Sequence, residues 1–333
     1  MSAKTLTDAA MAALASLAVM LATPAAAQTK VTIVTFAGAT NLPVWIALDR
    51  GLFAKEGLAV TQEITRGSTP AMRGLMEGKY QFASSALDNT IAIAEGLGDV
   101  KFDNFDVAAI LGVHSGMNKI VGRPEIKRYT DIRGKAIASD ALTSGYGLVL
   151  VKILAAHGLV PNKDFTALAV GSTPNRIAAM REGKAVAGVI APPSHFGLLK
   201  DGFNLLGDAT EAIGAYQGST FIVRRSWAKA NEATVLAFLR AQIAATDYAF
   251  ADKAGSLAIM RKRIKNVSDA DLEATYNEMV TSKGGLNRRG AMNMDGVRML
   301  LALRNELSGS GRKLTDPNKY LELSYYQKAV AGK

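Results

Sequence analysis

The chain has 333 residues, enough for two domains of ordinary size. Hydrophobic residues make up 49% and charged residues 20%, a composition that excludes a disordered chain. Cysteine is absent, which excludes disulfides, thiolate catalysis and cysteine metal sites. The net charge of +10 is spread over runs such as 261–265 and 224–225. No basic stretch interleaves with aromatics, so a nucleic-acid groove is excluded as well.

Residues 1–7 carry one lysine, residues 9–22 are a nearly continuous apolar run, and Ala25-Ala26-Ala27 places an A-x-A pattern before Gln28. That layout predicts a cleavable secretory signal over 1–27 and a periplasmic mature protein, although Asp8 interrupts it. The run is short against the ~20 residues that span a bilayer. No cysteine follows it to carry a lipid.

The segment KVTIVTF at 30–36 reads as a strand by β-branching and alternation. Gly38 breaks it, and Asn41 is placed to cap a helix that starts near Leu42-Pro43. A second strand is expected at 58–65. Then comes GSTP at 67–70, with Ser68 or Thr69 offering a capping oxygen and Pro70 fitting the first helical turn. Gly78 stops that helix, and a third strand follows at 82–84.

The same order recurs about a hundred residues on. A strand at 165–170 leads to GSTP at 171–174, a helix at 177–180, a stop at Gly183 and a strand at 186–190. Strands alternating with helices imply right-handed crossovers and parallel sheets. Two such sets predict two α/β lobes, with lobe I at 28–117 and 222–333 and lobe II at 118–221. Extended segments at 118–122 and 219–223 would be the crossings, and helices at 232–251, 269–281, 295–307 and 320–329 would cover lobe I.

From Val31 onward the chain resembles the solute-binding proteins of ABC importers for sulfonates, taurine, nitrate and thiamine precursors. The residues that carry the resemblance are LPVWIALDRGLFAKEG at 42–57, TDIRGKAIA at 130–138, MREGKAVAGV at 180–189 and DPNKYLELSY at 316–325. The resemblance implies a two-lobed periplasmic binding protein fold that closes about a hinge. It also implies a membrane permease as partner, a small-molecule solute as ligand, a monomer, and neither cofactor nor catalysis.

Ligands of open α/β sheets lie at the carboxyl ends of the strands. The loops so placed offer Gly38, Asn41, Arg66, Ser84, Ser85 and His114 in lobe I, and Thr143, Ser144, Gly145, Tyr146, Pro192 and His195 in lobe II. Thr143-Ser-Gly-Tyr146 precedes a helix, so free amides and a hydroxyl can converge there on an anion. Trp45 reads equally as a cleft wall or as core. Arg66 is the expected charge partner of an anion. Arg176 reads as a solvated helix residue, His157 as surface, and Asp88-Asn89 as a cap. His114 and His195 have no third ligand at a suggestive spacing, so no metal site is expected.

An enzyme on the same fold is the competing class, since some relatives make the thiamine pyrimidine with a pocket histidine and a cysteine-rich iron motif. This chain has no cysteine and no histidine near 36–43, and it carries no serine elbow, H-E-x-x-H or P-loop. A solute receptor for a membrane sensor is a further alternative.

Overall fold

The computed structural model describes residues 27–141, 143–210, 213–281, 283–307, 311 and 313–332. The predicted signal, Ala27 apart, lies outside the described residues. Among those residues no helix is long and apolar enough to cross a membrane.

Two five-stranded sheets form the frame. The first has the order β2 (Leu58–Ile64), β1 (Thr29–Thr35), β3 (Phe82–Ala86), β10 (Ser219–Arg224) and β4 (Val107–Gly112). The second has the order β7 (Phe165–Ala169), β6 (Lys135–Ser139), β8 (Ala187–Ile190), β5 (Lys119–Gly122) and β9 (Asn204–Asp208). In each sheet four strands share one direction, and one strand arriving from the other lobe enters antiparallel at the same place. β10 pairs antiparallel with both β3 and β4, and β5 does so with β8 and β9. The boundary expected at 221/222 therefore falls inside β10, which already belongs to the first sheet.

The repeated GSTP segments occupy equivalent places in the two sheets. Helix Ser68–Met76 joins β2 to β3, and helix Thr173–Arg181 joins β7 to β8. Both end on glycines in the left-handed region, Gly78 at φ 81° and Gly183 at φ 75°, a conformation that a Cβ disfavours. Neither helix start has a side-chain cap, contrary to the expectation for Ser68 or Thr69. The amides at these starts are used across the lobes instead, as described below.

Three apolar clusters hold the layers together. One face of the first sheet packs under helices Leu42–Asp49 and Glu232–Ala251, where Phe238 stacks on Phe82 at 4.0 Å between ring centroids and meets Phe221 edge-on. Each such ring removed from water contributes roughly 1.5–3 kcal/mol. A second cluster runs from the other face of that sheet into the second lobe, joining Ile91 and Leu300 to Ile137, Val149 and Ile153. The third and smallest lies behind β8 and helix Thr173–Arg181. Helix Met294–Leu307, expected to cover lobe I alone, also packs on helix Gly145–Ala156 of lobe II, and Lys152 pairs with Glu306 there.

Candidate functional site

A cavity of about 70 Å3 lies between the sheets. One water needs about 10–15 Å3, so a handful of non-hydrogen atoms fits. Its walls are strand ends and helix starts. Lobe I contributes Phe36, Ala37 and Thr40 after β1, Ala86 and Asn89 after β3, His114 after β4, and Ser219. Lobe II contributes Asn118 before β5, Asp140 after β6, Ser144 and Tyr146 at the next helix start, Thr173 and Arg176 after β7, and Ala191 after β8. This is the position that parallel-sheet topology assigns to a ligand.

The lobes meet directly around the cavity. The Ser172 amide donates to the Arg66 carbonyl at 2.9 Å, and the Ala39 amide to the Pro192 carbonyl at 3.2 Å. The Ser68 amide reaches the Asp140 carboxylate at 3.4 Å. The two GSTP turns thus face each other, with Gly67 positioned so closely that a Cβ on it would lie 3.8 Å from the Gly171 Cα. On the far side, the Gly145 amide donates to Asn89 Oδ1 at 2.9 Å. Arg304, 2% exposed, holds Asp88 through two hydrogen bonds of 2.8 and 2.6 Å and donates to the Thr143 carbonyl at 2.6 Å. The closed arrangement leaves no room for a side chain at Gly145, where a Cβ would sit 2.8 Å from the Asp88 Cβ.

Gly145 begins its helix outside the left-handed region, so its backbone accepts alanine, and within lobe II only the tip of the Tyr216 side chain, 3.0 Å from the new Cβ, has to give way. Gly145→Ala is expected to act as a wedge that opposes closure, at an overpacking cost of about 1–2 kcal/mol. That corresponds to roughly tenfold weaker solute binding with an unchanged or slightly raised unfolding midpoint. Titration calorimetry beside thermal unfolding checks it, and parental affinity in the variant would show that the lobes do not close as seen here.

The cavity is rich in donors without protein partners. Arg176 is 9% exposed; its Nη1 donates to the Gly171 carbonyl and its Nη2 to Thr173 Oγ1, both at 2.9 Å. Its buried Nε has no partner, and among the described residues no carboxylate lies within 4.0 Å of the guanidinium. Burial lowers its pKa, opposed by the field of Asp140. The buried Tyr146 hydroxyl also lacks a partner, and burial foremost holds its pKa far above the usual phenol value, so it remains a donor. His114 Nδ1 accepts the Gly116 amide at 3.0 Å, which leaves the proton of the neutral ring on Nε2. Burial lowers its pKa to about 4, so that ring is neutral near pH 7. Ser144 Oγ accepts the Gly147 amide at 3.3 Å, capping its helix.

His114, Ser144 and Tyr146 are the residues of the expected set that line this cavity. Gly38 and Pro192 stand at the lip, through the Ala39–Pro192 hydrogen bond. Asn41 caps nothing with its side chain; its amide binds the Phe36 and Gly38 carbonyls at 2.6 and 3.0 Å and shapes the loop. Ser84 and Ser85 are buried within β3, and it is Ala86 that reaches the wall. Thr143 faces Asp99, to which its hydroxyl donates at 2.6 Å. Gly145 contributes its amide to closure.

Several expectations change. Trp45 lies in the apolar cluster with Leu42 and Phe53, away from the cavity. The Arg66 side chain is exposed, and its carbonyl alone takes part in closure. His195 is buried against Phe196, with Nε2 3.8 Å from Glu278 Oε1, and does not line the cavity. Asp88 and Asn89 lie inside the helix Leu87–Ala94, tied to Arg304 and Gly145, and so are not caps. Arg176, read as solvated, is the buried cation of the site.

Two sheets of this topology, linked by crossing strands and shut on a donor-lined cavity, define the periplasmic binding protein class of fold. Among solved structures, the nitrate-binding protein NrtA of Synechocystis PCC 6803 aligns at TM-score 0.76 and 16% identity, over 92% of this chain and 89% of that one. A protein of Bordetella bronchiseptica RB50 aligns at 0.75 and 23%, over 92% and 98%. The alkanesulfonate-binding protein SsuA of Xanthomonas axonopodis pv. citri, bound to MOPS, aligns at 0.69 and 20%, over 88% and 96%. No curated protein sequence matches. The model of the NMT1-like family matches residues 24–264, and the chain belongs to that family.

Proposed function

We propose that this chain is the solute-capturing component of an ABC-type importer, working in the periplasm and handing its solute to a membrane permease. The solute is small and carries an anionic group. The observation that carries this reading is Arg176, a buried guanidinium on the cavity wall with an unpartnered Nε and, among the described residues, no carboxylate within ion-pair distance. A buried cation is costly unless something compensates it. A carboxylate or sulfonate is the compensating partner that guanidinium geometry suits best.

Capture needs no reacting group. The lobes bring Arg176, Tyr146, Asn118, Thr173 and Ser144 of one side onto the same space as His114, Asn89 and Thr40 of the other. A ligand that engages both walls stabilises the closed form over an open one by its differential affinity for it. Nitrate and sulfonate binding in the structural neighbours is in keeping with an anion-bearing solute.

A thermal-unfolding screen of the mature protein tests the reading. A solute present at a hundred times its Kd adds about 2.7 kcal/mol of stability, a shift of a few degrees for a protein of this size. Short carboxylates, sulfonates, amino acids and nitrate form the panel. At least one is expected to raise the midpoint, and a flat result at millimolar concentrations across the panel would refute capture of a small anion-bearing solute.

A further inference from the structure

We propose that Asp140 sets the charge of the captured solute, so that the site selects a compact zwitterion whose anionic head meets Arg176 and whose protonated amine faces Asp140. The inference rests on the capture reading above and narrows it. Arg176 and Asp140 are the two charged side chains of the cavity wall, and they stand apart, with no ion pair between them within 4.0 Å. His114 adds no charge, because burial keeps it neutral near pH 7. The wall is therefore electrically balanced and strongly dipolar.

The Asp140 carboxylate is under-used by the protein. Among the described residues its side chain accepts one hydrogen bond, from the Ser68 amide at the long distance of 3.4 Å. An ionised carboxylate offers about four acceptor sites. A plain anion seated beside Arg176 would leave that capacity idle and meet the carboxylate's repulsion in a closed, poorly solvated space. A solute that also carries an ammonium group meets attraction at both ends. The cavity of about 70 Å3 keeps the two ends within a short spacer of each other, as in an amino acid or an aminosulfonate.

Asp140 also helps close the lobes through Ser68, and the test separates that role from charge selection. Asparagine retains the acceptor oxygen for the Ser68 amide while it removes the charge. Titration calorimetry at pH 7 on parent and Asp140→Asn would use matched pairs: glycine and acetate, β-alanine and propanoate, 2-aminoethanesulfonate and ethanesulfonate. In the parent, one zwitterion at least is expected to bind tenfold or more tightly than its partner without the amine. In Asp140→Asn that preference is expected to shrink at least tenfold, with the anion binding as well as before or better.

A parent that binds the plain anion as tightly as the zwitterion overturns the inference and leaves capture of an anion-bearing solute standing. An equal loss for both members of a pair in Asp140→Asn assigns Asp140 to closure alone and overturns it too. No heat from any zwitterion at 10 mM, with nitrate or another simple anion binding, likewise overturns zwitterion selection. Silence from every solute, with no shift in the wider thermal screen, removes the capture reading itself.

Discussion

Replacing Arg176 by methionine is expected to abolish solute binding and leave the empty protein about as stable as its parent. The two effects separate because the guanidinium is buried and, among the described residues, has no carboxylate within ion-pair distance. In the empty protein the substitution removes two hydrogen bonds, to the Gly171 carbonyl and Thr173 Oγ1. Bonds from a charged donor contribute about 1.5–3 kcal/mol each. Against that loss stands relief from burying a cation, several kcal/mol even after relaxation. Methionine is apolar and flexible enough to fill the space. With solute bound the balance reverses, since the anion loses its strongest donors, and a loss of affinity of a hundredfold or more follows, about 3 kcal/mol. Calorimetry with any solute from the screen, set beside urea unfolding of the empty variant, gives both numbers. A variant that binds within threefold of the parent, or that loses more than about 2 kcal/mol of empty-state stability, would show that Arg176 serves the fold and not the ligand.

The sequence contains a signal for Arg176 in the repeat itself. Superposing GSTP on GSTP sets Arg176 against Met72, which is 1% exposed on the packing face of its helix. A charge at a position whose twin is core points to a buried ion or a ligand. Comparison of Arg176 with the arginines that flank the first GSTP, Arg66 and Arg73, hides this, because those side chains are exposed. The repeat also made the fold legible: two equal βαβ sets define two sheets, and strand-end loops define the cleft. His114, Ser144 and Tyr146 are named from those loops, and Asp140, Thr173 and Ala191 follow strands β6, β7 and β8 in the same way.

What the sequence hid is pairing across distance. Asp88 and Asn89 look like cap residues locally, where a polar pair at a helix start is ordinary. Their partners, Arg304 and Gly145, lie 216 and 56 residues away. Trp45 presents both readings because the apolar spacing of a buried helix is the same whichever element covers it; helix Glu232–Ala251 decides for the core. The GSTP amides mislead for a related reason. Capping chemistry and closure chemistry require the same free N–H groups, and here closure takes them, through Arg66 and Asp140.

Lowering the pH from 6.5 to 4.5 is expected to destabilise the empty protein by several kcal/mol. Unfolded, His114 and His195 each take a proton near pH 6.5. In the fold, burial depresses both to about 4, helped at His195 by the charge of Lys119. Between these values the unfolded chain binds more protons than the native one, so stability rises with pH in this window and is lost as pH falls through it. Each proton withheld costs about 1.4 kcal/mol per pH unit. Glu278, close to His195, works in the other direction: burial raises its pKa, and protonation on acidification relieves part of the cost. The carboxylates of Asp49, Asp208 and Asp271 are lowered, so their contributions fade below about pH 4; those of Glu63, Glu125 and Glu273, also lowered, start to fade only at the acid end of the window, where the histidines dominate.

Denaturant unfolding at pH 7.0, 5.5 and 4.5 measures the slope, and His114→Gln is expected to remove about half of it. Because the His114 proton sits on Nε2 at the cavity wall, a bound anion favours the protonated ring. Saturating solute should therefore flatten the decline in the parent and not in His114→Gln, with proton uptake on binding below pH 6. Identical pH slopes for parent and variant, with and without solute, would mean that His114 is not the ring that meets the ligand.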